Sequence, residues 1–278
     1  MHGILCINKP KGWTSFDVVN KVSRFYRTKV GHTGTLDPQA TGVLVCLVGL
    51  TKALPFIDSK TKRYQATCQL GLKTDTGDIW GKTIQKQLIS PVTKEQLETV
   101  LVSFMGQSSQ RVPMTSAKKV KGKKLIDYQR EKIEVQQQYT NIEIFDIKLL
   151  SISETSFEFE ALVSHGTYIR TLCEDIAQKL NNIGTMSSLV RTENGPFKLS
   201  DCIDIEDLGQ RDLIPIAKGL SHYKSLEIDD IKAIYNGKNI KHEYIDDQIA
   251  ITHHDEIVAI YQYDDQIKEY RSQRGLWM

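Results

Sequence analysis

Residues 31–42 read G-H-T-G-T-L-D-P-Q-A-T-G and pass directly into V-L-V-C-L-V at 43–48. A short, unbroken apolar run rich in β-branched residues predicts a strand covered on both faces. The loop before it holds three glycines, one proline and a lone carboxylate, Asp37. An Asp-Pro pair between glycines is an ordinary turn former, so Asp37 alone says little about chemistry. What surrounds it decides how it is read.

Upstream, Thr14-Ser15 has the chemistry of a helix N-cap, and Val18, Val22 and Phe25 follow at helical spacing, which predicts a basic amphipathic helix. Downstream, Tyr64, Ala66, Cys68 and Leu70 alternate with polar residues, and Phe157, Phe159, Ala161 and Val163 alternate with Glu158, Glu160 and Leu162; both segments predict strands of period two. The second leads through S-H-G-T-Y-I-R into T-L-C-E-D-I-A-Q-K-L, where Leu172, Ile176 and Leu180 mark one face of a helix. Strands and helices without a regular βαβ repeat favour an α+β fold. Near the C-terminus, I-A-I-T and I-V-A-I-Y-Q-Y, split by His253-His254-Asp255-Glu256, predict a hairpin in a small β-rich unit. The expected organisation is a domain over 1–220 and a smaller one over 221–278.

With 278 residues, ordinary composition and no apolar run near eighteen residues, the chain reads as neither membrane-spanning nor disordered. Its N-terminus, M-H-G-I-L-C-I-N-K-P, lacks a secretory pattern, which predicts a cytoplasmic protein. Cys6, Cys46, Cys68, Cys173 and Cys202 are scattered and read as reduced, mostly buried thiols rather than disulfides or zinc ligands. A formal net charge of +2 implies no particular partner, but its distribution is uneven. Met1–Gly34 carries Lys9, Lys11, Lys21, Arg24, Arg27 and Lys29 against Asp17 alone. From Arg111 to Lys132, Lys118, Lys119, Lys121, Lys123, Lys124 and Arg130 join the terminal pair against Asp127 and Glu131. Such patches suit a phosphate backbone, although a charge run is more often a solvated face. Asp229–Glu269 is acidic by contrast.

Taken together, I-N-K-P-K-G-W-T-S-F-D-V-V, G-H-T-G-T-L-D-P-Q-A-T-G-V-L, K-R-Y, G-T-Y-I-R and L-V-R-T-E-N-G-P-F closely resemble the TruB family of bacterial tRNA pseudouridine synthases, in the family's order from about Gly3 to Leu199. The resemblance implies a pseudouridine synthase fold, with a mixed, largely antiparallel central sheet flanked by helices, and a C-terminal domain of the PUA type. It implies isomerisation of uridine 55 in the tRNA T-loop, with base flipping, no cofactor and no metal. The partner would be the T-arm and elbow of tRNA, bound by a monomer.

That reaction breaks the C1′–N1 bond of uridine and joins C1′ to C5. One carboxylate suffices for it, as nucleophile or as electrostatic stabiliser. Attack on the sugar, attack on the base and assisted elimination all remain open.

The resemblance assigns the carboxylate to Asp37, its ion-pair partner to Arg170, and the aromatic that stacks on the uracil to Tyr64. It places His32, Asp78, Leu189 and Tyr168 around the flipped nucleotide, and Lys9, Lys118 and Lys119 on the RNA. The segment of about 107–138 corresponds to an insertion that grips the tRNA elbow. Here the sequence departs from the family, having Pro113, Met114 and Thr115 where two prolines and an aromatic are frequent. A hydrolase built on Asp37 would want a second carboxylate or a metal, and no H-E-x-x-H occurs. A different class of protein, a tRNA-binding or folding module with an idle site, is the alternative; a binding-only protein has no need of Asp37, Tyr64 and Arg170 together.

Overall fold

The computed structural model describes residues 2–277. The chain forms two compact units, one from the residues up to Ser59 with those from Glu193 onward, the other from Lys60–Thr192.

In the first unit, β1 (Gly3–Lys9) is followed by α1 (Ser15–Tyr26), β2 (Val30–His32) and β3 (Thr41–Val48). Both β1 and β2 pair antiparallel with β3, setting Lys9 opposite Gly42 and His32 opposite Cys46. β3 is buried on both faces, as its apolar run predicts. Val43, Val45 and Leu47 pack with Ile4 and Cys6, while Leu44, Cys46 and Val48 pack with Leu5, Ile7, Val18 and Val22. Burying each such side chain stabilises the fold by roughly 1.5–3 kcal/mol, so this strand anchors the loop that precedes it.

α1 opens with a capping box: the Thr14 hydroxyl accepts from the Asp17 N–H at 3.1 Å, and the Asp17 carboxylate accepts from the Thr14 N–H at 2.9 Å. Phe25 departs from the expected apolar face. It is half exposed, with its ring tip beside Gly209.

The second unit contains β4 (Thr61–Leu70), β5 (Leu72–Thr74), β6 (Thr83–Lys86), α2 (Lys94–Val102), β7 (Gly106–Arg111), β8 (Lys119–Val120), β9 (Lys123–Lys124), α3 (Leu125–Arg130), β10 (Tyr139–Ile152), β11 (Ser156–Ser164), α4 (Ile169–Lys179) and most of β12 (Gly184–Asn194). The sheet order within it is β12-β4-β11-β10-β7. β4–β11, β11–β10 and β10–β7 are all antiparallel. The alternation in β4 and β11 places Tyr64, Ala66, Cys68, Leu70, Phe157, Phe159, Ala161 and Val163 inside. The basic insertion is a short hairpin, β8–β9, turning at Lys121-Gly122 with positive φ at both, followed by α3.

After β12 the chain returns to the first unit through β13 (Phe197–Lys198), α5 (Ile216–Gly219), β14 (Lys224–Glu227), α6 (Ile231–Tyr235), β15 (Gln248–His253), β16 (Glu256–Asp264) and β17 (Glu269–Gly275). The last four strands form a sheet in the order β14-β15-β16-β17, with only β14–β15 parallel. The expected hairpin turns at His254-Asp255, both with positive φ, the geometry of a tight two-residue turn. One face of this sheet has its own core around Ile249, Ile251, Tyr261 and Tyr270. Ala250, Ile260 and Leu276 join the core of Ile4, Val43 and Val45. Division by compactness therefore cuts the chain elsewhere than the 220/221 boundary read from composition.

Among the described residues no helix is long and apolar enough to cross a membrane, and no group of three or more His, Cys, Asp or Glu is placed to hold a metal ion. All five cysteines are free thiols, and only Cys202 is not buried.

Candidate active site

In the first unit, the loop carrying Asp37 is fixed on both sides. Before it, the buried Ser15 hydroxyl accepts from the Leu36 N–H at 2.9 Å and donates to the Leu36 carbonyl at 3.2 Å. After it, the Pro38 carbonyl accepts from the Gly12 N–H and from the Lys9 ammonium, both at 2.9 Å. The Asp37 carbonyl itself accepts from the Ala40 N–H at 3.0 Å, closing a turn. Asp37 is partly exposed. A carboxylate on so fixed a backbone loses little entropy when it meets a substrate.

Lys9 corrects an expectation. Read from its basic stretch as an RNA contact, it is fully buried, donating to the Pro10 carbonyl at 3.0 Å, to the Trp13 carbonyl and to Pro38. Its charge holds the loop instead of facing solvent. His32 lies on β2, where Nδ1 accepts from the Gly34 N–H at 3.2 Å, which assigns the ring proton of the neutral form to Nε2.

In the second unit, Arg170 falls in the first turn of α4, so the helix starts two residues before the expected one. It is buried; Nη1 donates to the Thr76 carbonyl at 2.9 Å and to the Thr115 hydroxyl, and Nη2 to the Thr115 carbonyl at 3.0 Å. Tyr168 is the residue before α4. Its N–H donates to Gln110 Oε1 at 2.8 Å and its carbonyl accepts from Gln110 Nε2 at 3.0 Å, so one buried amide fixes the entry to the helix.

Asp78 sits in a loop tied to β12: the Ile79 N–H donates to the Met186 carbonyl at 2.9 Å, and the Met186 N–H to the Gly77 carbonyl at 3.0 Å. The Thr76 hydroxyl donates to the Asp78 carboxylate at 2.9 Å. Leu189 is buried farther along β12, and Tyr64 is buried in β4. The unit thus brings Arg170, Asp78 and Tyr168 onto connected backbone. Lys118 and Lys119 stand on the insertion; the Lys118 ammonium donates to the Tyr139 carbonyl at 3.0 Å, and Lys119 is exposed.

A cationic cluster escaped sequence reading. Lys62 and Arg191 are buried, and the Lys62 ammonium donates to His165 Nδ1 at 2.9 Å. Burial, with Arg191 adding repulsion, pulls Lys62 down to about 8. Repulsion from Lys62 and burial lower His165, consistent with a neutral ring accepting the bond. Ser15, Gln110 and Thr115 were also missed as supports. The only sequence signal was the Thr14-Ser15 pair, of which Thr14 caps the helix and Ser15 holds the loop.

Two family models cover the chain in succession: the TruB family pseudouridylate synthase N-terminal domain matches residues 22–169, and the tRNA pseudouridylate synthase B C-terminal domain matches 170–214. The tRNA pseudouridine synthase B of Clostridium tetani is 40% identical over 272 residues, 95% of this chain and 93% of that protein. That of Oceanobacillus iheyensis is 40% identical over 294 residues, 98% and 97% respectively. Among solved structures, a chain of an H/ACA RNP bound to a substrate RNA containing 2′-deoxyuridine superposes with a TM-score of 0.75 at 22% identity, over 99% of this chain and 85% of that one. A chain of a Cbf5-Nop10-Gar1 complex gives 0.76 at 23%, with the same coverage. The fold and the family matches define the class, a pseudouridine synthase and hence an isomerase. Within that class, the chain belongs to the TruB family.

Proposed function

We propose that this chain converts the T-loop uridine of tRNA, position 55, to pseudouridine. Its curated relatives bear the name tRNA pseudouridine synthase B along nearly their whole length, which disfavours a binding module with an idle site. The observation that carries the assignment of the centre is the immobilised backbone of Leu36 and Pro38, held by Ser15, Gly12 and Lys9 around Asp37.

In this reading the target uridine leaves the stack, at a cost of a few kcal/mol that an irregular loop lowers. Asp37 then acts on the nucleotide as C1′–N1 breaks. The freed uracil turns, C5 joins C1′, and the C5 proton leaves while N1 gains one, so the net change is an isomerisation. Arg170 orients the carboxylate through charge-assisted hydrogen bonds. Tyr64 stacks on the uracil, with His32, Asp78, Leu189 and Tyr168 around it. No cofactor or metal enters.

The insertion bearing Lys118 and Lys119 grips the elbow. The 1–220 segment is the catalytic domain and 221–278 a PUA-like domain, whose exposed edge strand β17 offers Arg271 and Arg274 despite its acidic surroundings. The protein works as a cytoplasmic monomer.

The test is to map the product on an unmodified tRNA transcript by carbodiimide labelling and primer extension. One new stop in the T-loop at position 55 is expected; stops only elsewhere, or none, would overturn the proposal.

A further inference from the structure

We propose that Thr115 is a positioning residue for the isomerisation, the point at which the basic insertion holds the Arg170 guanidinium. The inference rests on the reading of Arg170 as partner of the reacting carboxylate. Arg170 is 7% exposed, and two of its donor nitrogens are directed at one residue of the insertion. Nη1 donates to the Thr115 hydroxyl and Nη2 to the Thr115 carbonyl at 3.0 Å. The same hydroxyl donates to the Thr76 carbonyl at 3.3 Å, and that carbonyl accepts from Nη1 at 2.9 Å. Donor and acceptor capacities of the hydroxyl are therefore both engaged, and three groups close a small ring around the guanidinium.

Thr115 stands in the stretch Pro113–Thr115, where the sequence departs from the TruB pattern. A phenol would carry its hydroxyl several ångströms farther from the backbone, so only a short hydroxylated side chain makes this clamp beside its own carbonyl.

Thr115 is also wired to the RNA-facing part of the insertion. The next residue, Ser116, accepts through its carbonyl from the Ile126 N–H at 3.1 Å, and Lys118 from the Leu125 N–H at 2.9 Å, both at the start of α3. The hairpin of Lys119 and Lys123–Lys124 is thus joined to Thr115 by a few hydrogen-bonded residues, and a phosphate pulling on it acts on the clamp.

Arg170 also borders a cavity of about 120 Å³, lined by Thr76 of the clamp and by Gly77, Gln129, Thr171 and the ion pair of Arg111 with Glu174. Two of these lining residues, Gln129 and Thr171, have a buried oxygen, Oε1 and Oγ1, without a hydrogen-bond partner among the described residues. A guanidinium released by Thr115 has room and polar atoms to turn toward there. Retention in the productive rotamer is what the threonine contributes.

The experiment compares Thr115→Val, Thr115→Ala and Thr115→Ser with wild type, by single-turnover release of tritium from [5-³H]uridine tRNA at saturating enzyme and by tRNA affinity. Thr115→Val and Thr115→Ala are expected to lower the rate constant about tenfold, the loss of one charge-assisted hydrogen bond, with Kd changed less than about twofold. Thr115→Ser, which restores the hydroxyl, is expected within about twofold of wild type. In an Arg170→Lys background, adding Thr115→Val should change the rate less than about twofold, because the group it positions is gone. The inference is overturned if Thr115→Val reacts like wild type, if its defect lies wholly in Kd, or if the tenfold loss persists undiminished in the Arg170→Lys background. Full activity of Arg170→Lys itself would instead overturn the underlying reading of Arg170, and the inference with it.

Discussion

The ammonium of Lys9 donates to the carbonyl oxygen of Pro38 at 2.9 Å, one residue beyond Asp37. A cation 29 positions before Pro38 thereby sets the backbone beside Asp37, from a fully buried position. Lys9→Met keeps the bulk and removes the charge, taking the ammonium from the Trp13 carbonyl while the Pro38 carbonyl keeps only the Gly12 N–H. Loss of about 2–3 kcal/mol in urea unfolding is expected, with slower pseudouridine formation and tRNA affinity within about twofold of wild type. A large fall in affinity at unchanged stability would restore Lys9 to the RNA interface.

Lys118 and Lys119 should behave oppositely. Each substitution by alanine leaves stability nearly unchanged and weakens tRNA binding. The slope of log Kd against log salt should shrink by about one for each phosphate contact removed. Titrations at three or more salt concentrations give the slope directly.

The buried Lys62 makes a prediction in pH. Its folded-state value lies near 8, below the ordinary lysine value, first because burial disfavours the ammonium and then because Arg191 repels it. Between about 8 and the ordinary value near 10.5, the unfolded chain therefore binds more protons, and stability rises with pH across that window. Urea unfolding at pH 7.5 and pH 9.5 should show a gain in the wild type, relative to Lys62→Met, of about 2 kcal/mol. Equal pH dependence in the two proteins would contradict the assignment.

Gly81 guards the loop of Asp78. A Cβ there would stand 2.1 Å from Thr76 Oγ1 and 2.6 Å from Asp75 Oδ1. Those atoms are engaged, the first with the Asp78 carboxylate at 2.9 Å and the second with the Lys82 N–H at 2.8 Å. Gly81→Ala must displace both, and is expected to lose about 1–3 kcal/mol of stability and to slow turnover. Calorimetry and tritium release on the same preparation check both.

Tyr64 lies mostly within the sheet, 7% exposed. Tyr64→Phe keeps that packing and the ring face, so tRNA affinity should be preserved while turnover falls if the hydroxyl assists at C5. Wild-type turnover by Tyr64→Phe would leave stacking as the whole of its role, worth roughly 1–3 kcal/mol.

How far such relationships could be read from sequence depended on their range. Val43–Val48, the alternating strands of Tyr64 and Phe157, a cap at Thr14-Ser15 and a hairpin split within His253-His254-Asp255-Glu256 follow from local patterns of period and capping; the structure places the cap on Thr14 and the turn at His254-Asp255. Lys9 did not follow: a lysine in a basic stretch looks like a phosphate ligand until a distant carbonyl is brought to it. Thr115 and Gln110 were hidden for the same reason, since their partners lie 55 and 58 residues away. Arg170 was legible only through its motif, because nothing local distinguishes a helix-start arginine bound to a threonine from one on the surface. The compact units escaped composition as well, for the chain's two ends meet in one core.

Formation of the C1′–C5 bond must expel the hydrogen at C5, so tritium release from [5-³H]uridine tRNA, measured for wild type and Asp37→Asn without added metal, interrogates the chemistry most directly. Release by the wild type, with none above background from an Asp37→Asn protein that still folds and binds tRNA, is the predicted result. Comparable release by Asp37→Asn would remove Asp37 from the centre of the reaction.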